Sequence, residues 1–265
     1  MQRLMNLLLV LAIVLVVPPF YWYFLDTSPG DARPKPITIA DLRRLAAEPQ
    51  GEAPSAIRYA IVGIDHRFGN TVAAGTGLRT VALPSYVFAI ERADAPPIYV
   101  DARRPDPLSG DDDLALPDAR GLGFATATNA GLLASRAIGS PQASEAPGRT
   151  DDTSPRALAR GVVLIPVTGL GDIHNMLFIR TEADREYLLT GRVAQVRANW
   201  AQGHVQSRYL TTFEEPADRG ELTAWLATIR KLRREAPGLE VVEGHAASLP
   251  RGLARNGEPS EAAVR

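Results

Sequence analysis

Few side chains in this sequence can bind a metal or move a proton near neutral pH. There is no cysteine, so a metal site would have to use histidine and carboxylate, and thiolate chemistry is excluded. Asp65 and His66 are adjacent, but neighbours on a strand point to opposite faces, so we expect no shared site there. Ser85 and Ser207 lie in no GxSxG-like context, which leaves a serine nucleophile without support. The four histidines are far apart in the chain: His66, His174, His204 and His245.

Composition describes an ordinary globular protein. The chain has 265 residues, of which 45% are hydrophobic, and its 29 basic and 30 acidic residues leave a net charge of −1. A chain of this length can bury a full core. Because the charges are spread along the sequence, no basic patch for nucleic acid is visible, and we expect no nucleic-acid partner.

The pattern of apolar residues predicts layers of strands and helices. Runs rich in β-branched and aromatic residues indicate strands at 57–64, 80–91 and 97–101, and again at 161–169, 176–181, 185–191 and 239–245. Helices are predicted after a Thr38 cap and at about 218–235, where apolar residues recur at helical spacing. This order favours an α/β sandwich.

The first 26 residues read as a transmembrane anchor, with a cleaved signal peptide as the alternative. Residues 4–25 carry no charge and are long enough to span a bilayer. The five consecutive aromatics at 20–24 are typical of a belt at the membrane interface. Arg3 precedes the apolar stretch, as in a signal peptide, but no small-x-small cleavage site follows. Arg3 also favours an external domain, although basic residues behind the span favour the opposite orientation. We expect a single-pass protein of a bacterial-type inner membrane with a periplasmic domain.

Composition also sets the expected domain limits. Residues 27–37 are rich in proline and charge and are predicted to be a linker. The domain is expected over 38–250, with low-complexity loops at 102–120 and 139–157, and the tail at 251–265 is predicted to be disordered.

The second half of the chain resembles the metallo-β-lactamase-fold hydrolases. In that family a strand leads to a TPGH-like loop, then to a hairpin ending in xGD, a helix, and a strand ending in PGH. The matching text here is VLIPVTGLGDIHNMLFIRTEADREYLLTGRVA, followed by LTAWLATIRKLRREAPGLEVVEGH. In the first half YVFAIERADAPPIYVDA is similar to the hairpin that ends in the family's VDTG, which makes Asp101 its aspartate. The resemblance implies an αββα sandwich of the metallo-β-lactamase type, shortened in the middle.

The same alignment implies that the family's zinc ligands are missing. The region corresponding to HxHxDH is FATATNAGLL, which has no histidine or aspartate. The histidine of TPGH falls on Leu170, and the bridging aspartate of xGD falls on Arg192, whose permanent charge would repel a divalent cation. Only the last histidine remains, as His245; a shifted loop could return His174 to the metal position. We expect no metal and no catalytic residue, and a vestigial pocket of His245, Arg192, Leu170, His174 and Asp101.

These observations predict a membrane-anchored pseudoenzyme. In this hypothesis the former active-site cleft binds a small anion or a protein partner. Arg192 either binds an anion or forms an internal salt bridge, and His245 is either a remnant of the pocket or a histidine held by a hydrogen bond. Two other functions stay open: a divergent hydrolase using one metal ion or none, and an envelope scaffold.

Overall fold

The computed structural model describes residues 2–28, 32–100, 154–170 and 174–255. Asp101, the FATATNAGLL segment and the predicted loop at 102–120 lie outside the described residues. The helices are α1 (Gln2–Phe20), continued by a π-helical turn (Tyr21–Leu25), α2 (Ile39–Ala47), α3 (Gly69–Val72), α4 (Arg197–Ala201) and α5 (Arg219–Glu235), with a 3-10 turn at Gly191–Val193 and a second π-helical turn at Leu210–Glu214. The strands are β1 (Ala56–Phe68), β2 (Thr80–Glu91), β3 (Ile98–Val100), β4 (Arg156–Ala159), β5 (Val162–Val167), β6 (His174–Arg180), β7 (Glu186–Leu189), β8 (Glu240–Val242) and β9 (Leu253–Arg255).

The described strands form two sheets. One has the order β3-β2-β1-β9 and the other the order β4-β5-β6-β7-β8. Neighbouring strands are antiparallel except for β1–β9 and β7–β8, which are parallel. The helix α5 connects β7 to the parallel strand β8, as a parallel crossover requires.

The alternating side chains of β5 separate two hydrophobic cores. Val163 and Ile165 pack with α2 and α5 on one face of the five-stranded sheet. Val162 and Leu164 point the other way, into a core shared with Ile57 and the rest of the four-stranded sheet. A strand buried on both faces reads as a continuous apolar run, which is why VVLIPV was recognisable in the sequence.

The two long helices of the domain each begin after a capping side chain, and the first of these, Thr38, was predicted from the sequence. The Thr38 side chain accepts a hydrogen bond from the backbone of Asp41 (3.2 Å), and Asp218 accepts from the first turn of α5. The apolar face of α5 is buried, including Leu222, Trp225 and Ile229. This layer of helices covers one side of the five-stranded sheet.

The segments predicted to be a linker and a tail contain residues that pack on the domain. The backbone of Lys35 donates to the hydroxyl of Thr228 (2.8 Å), and Ile37 belongs to the helix-side core. At the other end of the chain, Leu253–Arg255 pairs with β1. Residues 156–157, in the predicted second loop, begin β4.

Asp26 connects the end of the N-terminal helix to the domain. Its carboxylate is 6% exposed and accepts hydrogen bonds from Arg208 Nε and Nη2 (2.9 and 2.7 Å) and from the backbone of Ser28 (3.0 Å). Arg219 donates to the Asp26 backbone carbonyl (2.5 Å). The helix therefore meets the domain through an ion pair whose carboxylate is buried and whose guanidinium is partly exposed.

The Asp26 ion pair predicts a loss of stability in acid. Burial raises the pKa of Asp26, but the hydrogen bonds from Ser28 and Arg208 and the charge of Arg208 outweigh it and lower this pKa from 3.8 to about 2. A lowered folded-state pKa contributes stability above the unfolded value, which is lost as the pH falls through the folded one. Asp26→Asn should lower the free energy of unfolding at neutral pH by about 1 to 2 kcal/mol, allowing for solvent screening.

Urea denaturation in detergent, repeated at several pH values, measures this effect. The difference between wild type and Asp26→Asn should shrink as the pH falls from about 4 towards about 2. Asp184→Asn is the matched control, since the side chain of Asp184 is 77% exposed in its pair with Arg180. A difference that does not change with pH would contradict this assignment.

Candidate functional site

Sheet topology brings four of the predicted site residues to one edge of the five-stranded sheet. Leu170 follows the end of β5, Arg192 follows β7 and His245 follows β8. His174 begins β6, which is antiparallel to β5 and β7, so its first residue lies at that same edge. The fifth predicted residue, Asp101, lies outside the described residues.

Arg192 is held by a carboxylate of the protein itself. Gly191 has a φ of 51°, a left-handed conformation that glycine adopts readily, and it turns the chain at the end of β7. The Arg192 side chain is 39% exposed, and its Nη2 lies 2.8 Å from Oε2 of Glu215. Nη1 lies 3.3 Å from Nε2 of His174; because a guanidinium can only donate, this imidazole nitrogen must accept. The cation thus joins a carboxylate and an imidazole nitrogen.

Glu215 is the centre of this polar group. Its Oε2 also accepts a hydrogen bond from Gln195 Nε2 (3.0 Å), and its Oε1 lies 3.7 Å from Arg67. Arg67 is closer to Glu214, at 2.8 Å. Two guanidinium groups and one amide therefore compensate the charge of Glu215.

His245 is oriented by the four-stranded sheet. Its Nδ1 donates to the backbone carbonyl of Pro84 (2.9 Å), and its backbone N–H donates to Gln195 (2.8 Å). The carbonyl can only accept, so Nδ1 carries a proton. This agrees with the interpretation of His245 as a histidine held by a hydrogen bond.

Asp65 lies near His245, which the sequence did not predict. The pKa of Asp65 is lowered, first by the hydrogen bond from Arg67 and then by the backbone N–H of His66; the charges of Arg67 and His245 add to this. The long strand β1 brings Asp65 opposite Leu83, next to the Pro84 carbonyl that binds His245. Asp65 and His245 are therefore neighbours through β-pairing and not through sequence spacing.

A small cleft lies between Arg192, Leu170 and the second π-helical turn. Leu170, which aligns with the histidine of the family's TPGH motif, is 8% exposed and belongs to the helix-side core. This position therefore directs no polar atom into the cleft. Gln206 is 2% exposed; its amide donates to the backbone carbonyls of Arg192 and Val193 (both 3.2 Å), and its Oε1 accepts no hydrogen bond from any described residue. The cleft is partly open to solvent, and the space inside it is about 10 Å³, close to the space that one water needs.

The described residues do not fit a zinc site of the kind that the resemblance implies. No group of three or more histidine, aspartate or glutamate side chains converges in the described ranges, whereas a catalytic zinc needs three protein ligands. His174 Nε2 is turned towards Arg192, and Glu215 is neutralised by cations. We therefore derive no metal-dependent step from this site.

Comparison with known structures identifies the fold. A quorum-quenching N-acyl homoserine lactone hydrolase superposes with a TM-score of 0.54 at 14% identity, covering 75% of this chain and 95% of its own. An N-acyl homoserine lactone hydrolase with N-hexanoyl-L-homoserine at its catalytic metal centre gives 0.52 at 14% identity, with 74% and 94% covered. A B. thuringiensis enzyme with N-decanoyl-L-homoserine at the active site gives 0.54 at 14% identity and the same coverage.

This chain therefore has the metallo-β-lactamase fold, as its second half predicted. Neither protein-family profiles nor curated protein sequences gave a match. At 14% identity the likeness establishes the fold and not the activity.

Several residues of the site were missed at the level of sequence. Glu215, Gln206 and Gln195 belong to no motif, and all three reach the cleft from irregular chain after β7. The only signal for Glu215 was that Arg192 needed an acidic partner. That requirement does not single out one glutamate among many.

Proposed function

We propose that this protein is a membrane-anchored, non-catalytic member of the metallo-β-lactamase fold that binds a ligand or partner through the former active-site cleft. The observation that carries the proposal is the ion pair between Arg192 and Glu215 at the edge of the sheet where the resemblance places the metal ligands. An arginine keeps its charge at any accessible pH, so it excludes a divalent cation from its immediate surroundings. Without a metal there is no acidified water to act as nucleophile.

Membrane anchoring is the second part of the proposal. The helix Gln2–Leu25 is long and apolar enough to cross a bilayer, and its apolar stretch is not buried against the domain. A signal sequence passes the same test, but here the end of the helix packs on the domain: Phe24 stacks on Tyr209 (5.2 Å), and Asp26 pairs with Arg208. Cleavage near residue 26 would remove these contacts, which favours retention of the helix. The proposed location is a bacterial-type cell membrane with the domain outside the cytoplasm.

Metal analysis tests the loss of the zinc site. The full-length protein, purified in detergent without chelator, should contain zinc, iron and manganese well below stoichiometric amounts, and it should not hydrolyse N-acyl homoserine lactones. His204→Ala is the control for His245→Ala, because His204 donates to Ala74 away from the cleft. Stoichiometric metal that is lost in His245→Ala but kept in His204→Ala would overturn the proposal in favour of a divergent hydrolase.

Anion binding tests what the cleft recognises. Arginine pairs well with carboxylate or phosphate oxygens, but in this protein Glu215 already takes that place. Acetate or phosphate should therefore raise the melting temperature of Glu215→Gln by a few degrees more than that of wild type, since a ligand that binds the native state stabilises it. Adding Arg192→Gln to Glu215→Gln should abolish the gain.

Sodium chloride at matched ionic strength controls for general salt effects. Equal anion stabilisation in wild type, Glu215→Gln and the double variant would reject anion recognition by Arg192 and leave the internal salt bridge as its role. A protein partner would then be the remaining candidate ligand for the cleft.

A further inference from the structure

Most of the exposed hydrophobic side chains of the domain lie near the end of the N-terminal helix. Outside the N-terminal helix and its π-helical turn, the large hydrophobic residues exposed in the described part of the chain are Ile64 (58%), Phe68 (56%), Leu78 (61%), Tyr209 (37%) and Phe213 (61%). Four of them, Phe68, Leu78, Tyr209 and Phe213, lie around the end of the N-terminal helix, and we call these four residues the apolar rim. Scattered exposed apolar residues are normal on a protein surface, but a contiguous group indicates an interaction site.

Two members of the rim stack on the end of the N-terminal helix. Phe24 stacks on Tyr209 with ring centroids 5.2 Å apart, and Tyr209 contacts Phe213 at 5.7 Å. Tyr23 also contacts Phe213 at 5.7 Å. The aromatic residues of the helix therefore continue directly onto the surface of the domain.

The loop that carries Leu78 reaches the same point. Gly75 donates its backbone N–H to the Phe24 carbonyl (3.2 Å). Backbone hydrogen bonds from Gly69 to Arg79 and from Asn70 to Gly77 close this loop immediately after Phe68. Phe68 and Leu78 are thus held beside the helix end, and Arg67 binds Glu214 next to Phe213 (2.8 Å).

The connection between helix and domain is fixed. Besides the Asp26–Arg208 pair, the Arg208 guanidinium lies 3.9 Å from the ring centre of Trp22. Arg219 donates to the Asp26 carbonyl. The domain consequently keeps one orientation relative to the end of the helix and cannot swing away from it on a flexible tether.

The length of the helix sets the depth of the rim. The 24 residues of Gln2–Leu25 span about 36 Å at about 1.5 Å per residue, against about 30 Å of hydrocarbon. Its last turn, with Trp22, therefore lies in the headgroup region, where tryptophan and tyrosine are enriched. Side chains stacked on Tyr23 and Phe24 lie at the same depth, whichever way the helix crosses the membrane.

We propose that the apolar rim inserts into the interfacial region of the bilayer around the helix, so that the domain rests on the lipid surface. This inference rests on the proposed membrane insertion of the helix. Two of the nearby cations have partners in the protein: Arg208 pairs with Asp26, and Arg67 pairs with Asp65 and Glu214. Arg79, next to Leu78, is exposed. Contact with lipid is accordingly mainly apolar, and a single exposed arginine gives it only a weak dependence on salt or on anionic lipids.

Because the sequence has no cysteine, single cysteines can report depth in the full-length protein. Leu78→Cys and Phe213→Cys, labelled with an environment-sensitive fluorophore, test the rim in phosphatidylcholine vesicles that contain lipid-borne quenchers. Ala183→Cys is the matched control, because Ala183 is exposed in the turn between β6 and β7, at the opposite edge of the sheet from the cleft. Leu11→Cys reports the span itself.

We expect severalfold stronger quenching at positions 78 and 213 than at 183, little changed by high salt. Quenching at position 11 with none at 78 or 213 would overturn the insertion of the rim and leave the membrane anchor intact. No quenching at position 11 would contradict the anchor itself. Probe-to-probe energy transfer at 213 without lipid quenching would show that a second copy covers the patch, and would also overturn the proposal. Because these side chains are exposed, their replacement should leave the urea midpoint of the domain unchanged, which checks folding.

Discussion

Replacing Asn199 with alanine is expected to lower the free energy of unfolding by about 3 kcal/mol or more. The Asn199 side chain is fully buried; its amide donates to the carbonyls of Val72 (2.8 Å) and His204 (2.7 Å), and its oxygen accepts from the backbone of Val196 (2.9 Å). Alanine would leave one buried and two partly buried backbone groups without this partner, and each such loss costs about 1 to 3 kcal/mol before water or local movement compensates.

Urea denaturation in detergent measures this loss, and Arg197→Ala is the control because Arg197 is an exposed residue of the same helix. The arginine variant should stay within about 0.5 kcal/mol of wild type. Asn199 joins α4 to α3 and so supports the loop that carries Leu78. Equal stability of the two variants would show that water replaces the asparagine without cost.

Gly244→Ala is expected to destabilise the protein by about 2 to 3 kcal/mol. A Cβ atom at this position would lie 2.4 Å from the backbone oxygen of Gly191, too close for any packed structure. Backbone can move out of the way only by disturbing the hydrogen bonds from Gly244 to Ala194 and from His245 to Gln195. Both turns that carry the candidate site would shift.

Gly238→Ala is the matched control, because a Cβ at Gly238 would meet nothing within 4 Å. Replacing glycine with alanine reduces the backbone freedom of the unfolded chain at both positions. Because nothing opposes this effect at Gly238, Gly238→Ala should be neutral or more stable by up to about 1 kcal/mol. The denaturation midpoint should therefore fall in Gly244→Ala and stay the same or rise in Gly238→Ala. A shift of the same sign and size in both would rule out the steric explanation.

The part of the fold that could be predicted is the part set by local pattern. The run VVLIPV in β5 and the apolar stripe of α5 each identify an element without knowledge of its neighbours. The family-like order of β5 to β8 then predicted the sheet and the edge where Leu170, Arg192 and His245 meet. That prediction of fold is confirmed by the structural comparison.

Contacts between distant segments could not be predicted in the same way. Residues 32–37 have the composition of a linker, yet Lys35 binds Thr228, 193 residues away. Glu215 reaches Arg192 from the residue after a π-helical turn that no sequence pattern predicts. The sequence gives the number of acidic residues that could pair with an arginine. Which of them does so is determined by the tertiary structure.

Two prolines determine where the N-terminal helix can bend. Pro18 and Pro19 lie inside α1 and have no N–H, so the carbonyls of Val14 and Leu15 lose their helical hydrogen bonds. If the helix spans the bilayer as proposed, its weakest turn lies among the acyl chains, one turn before the part that packs on the domain. A thicker or thinner membrane would then change the tilt of residues 2–17, while the height of the cleft above the lipid would stay constant.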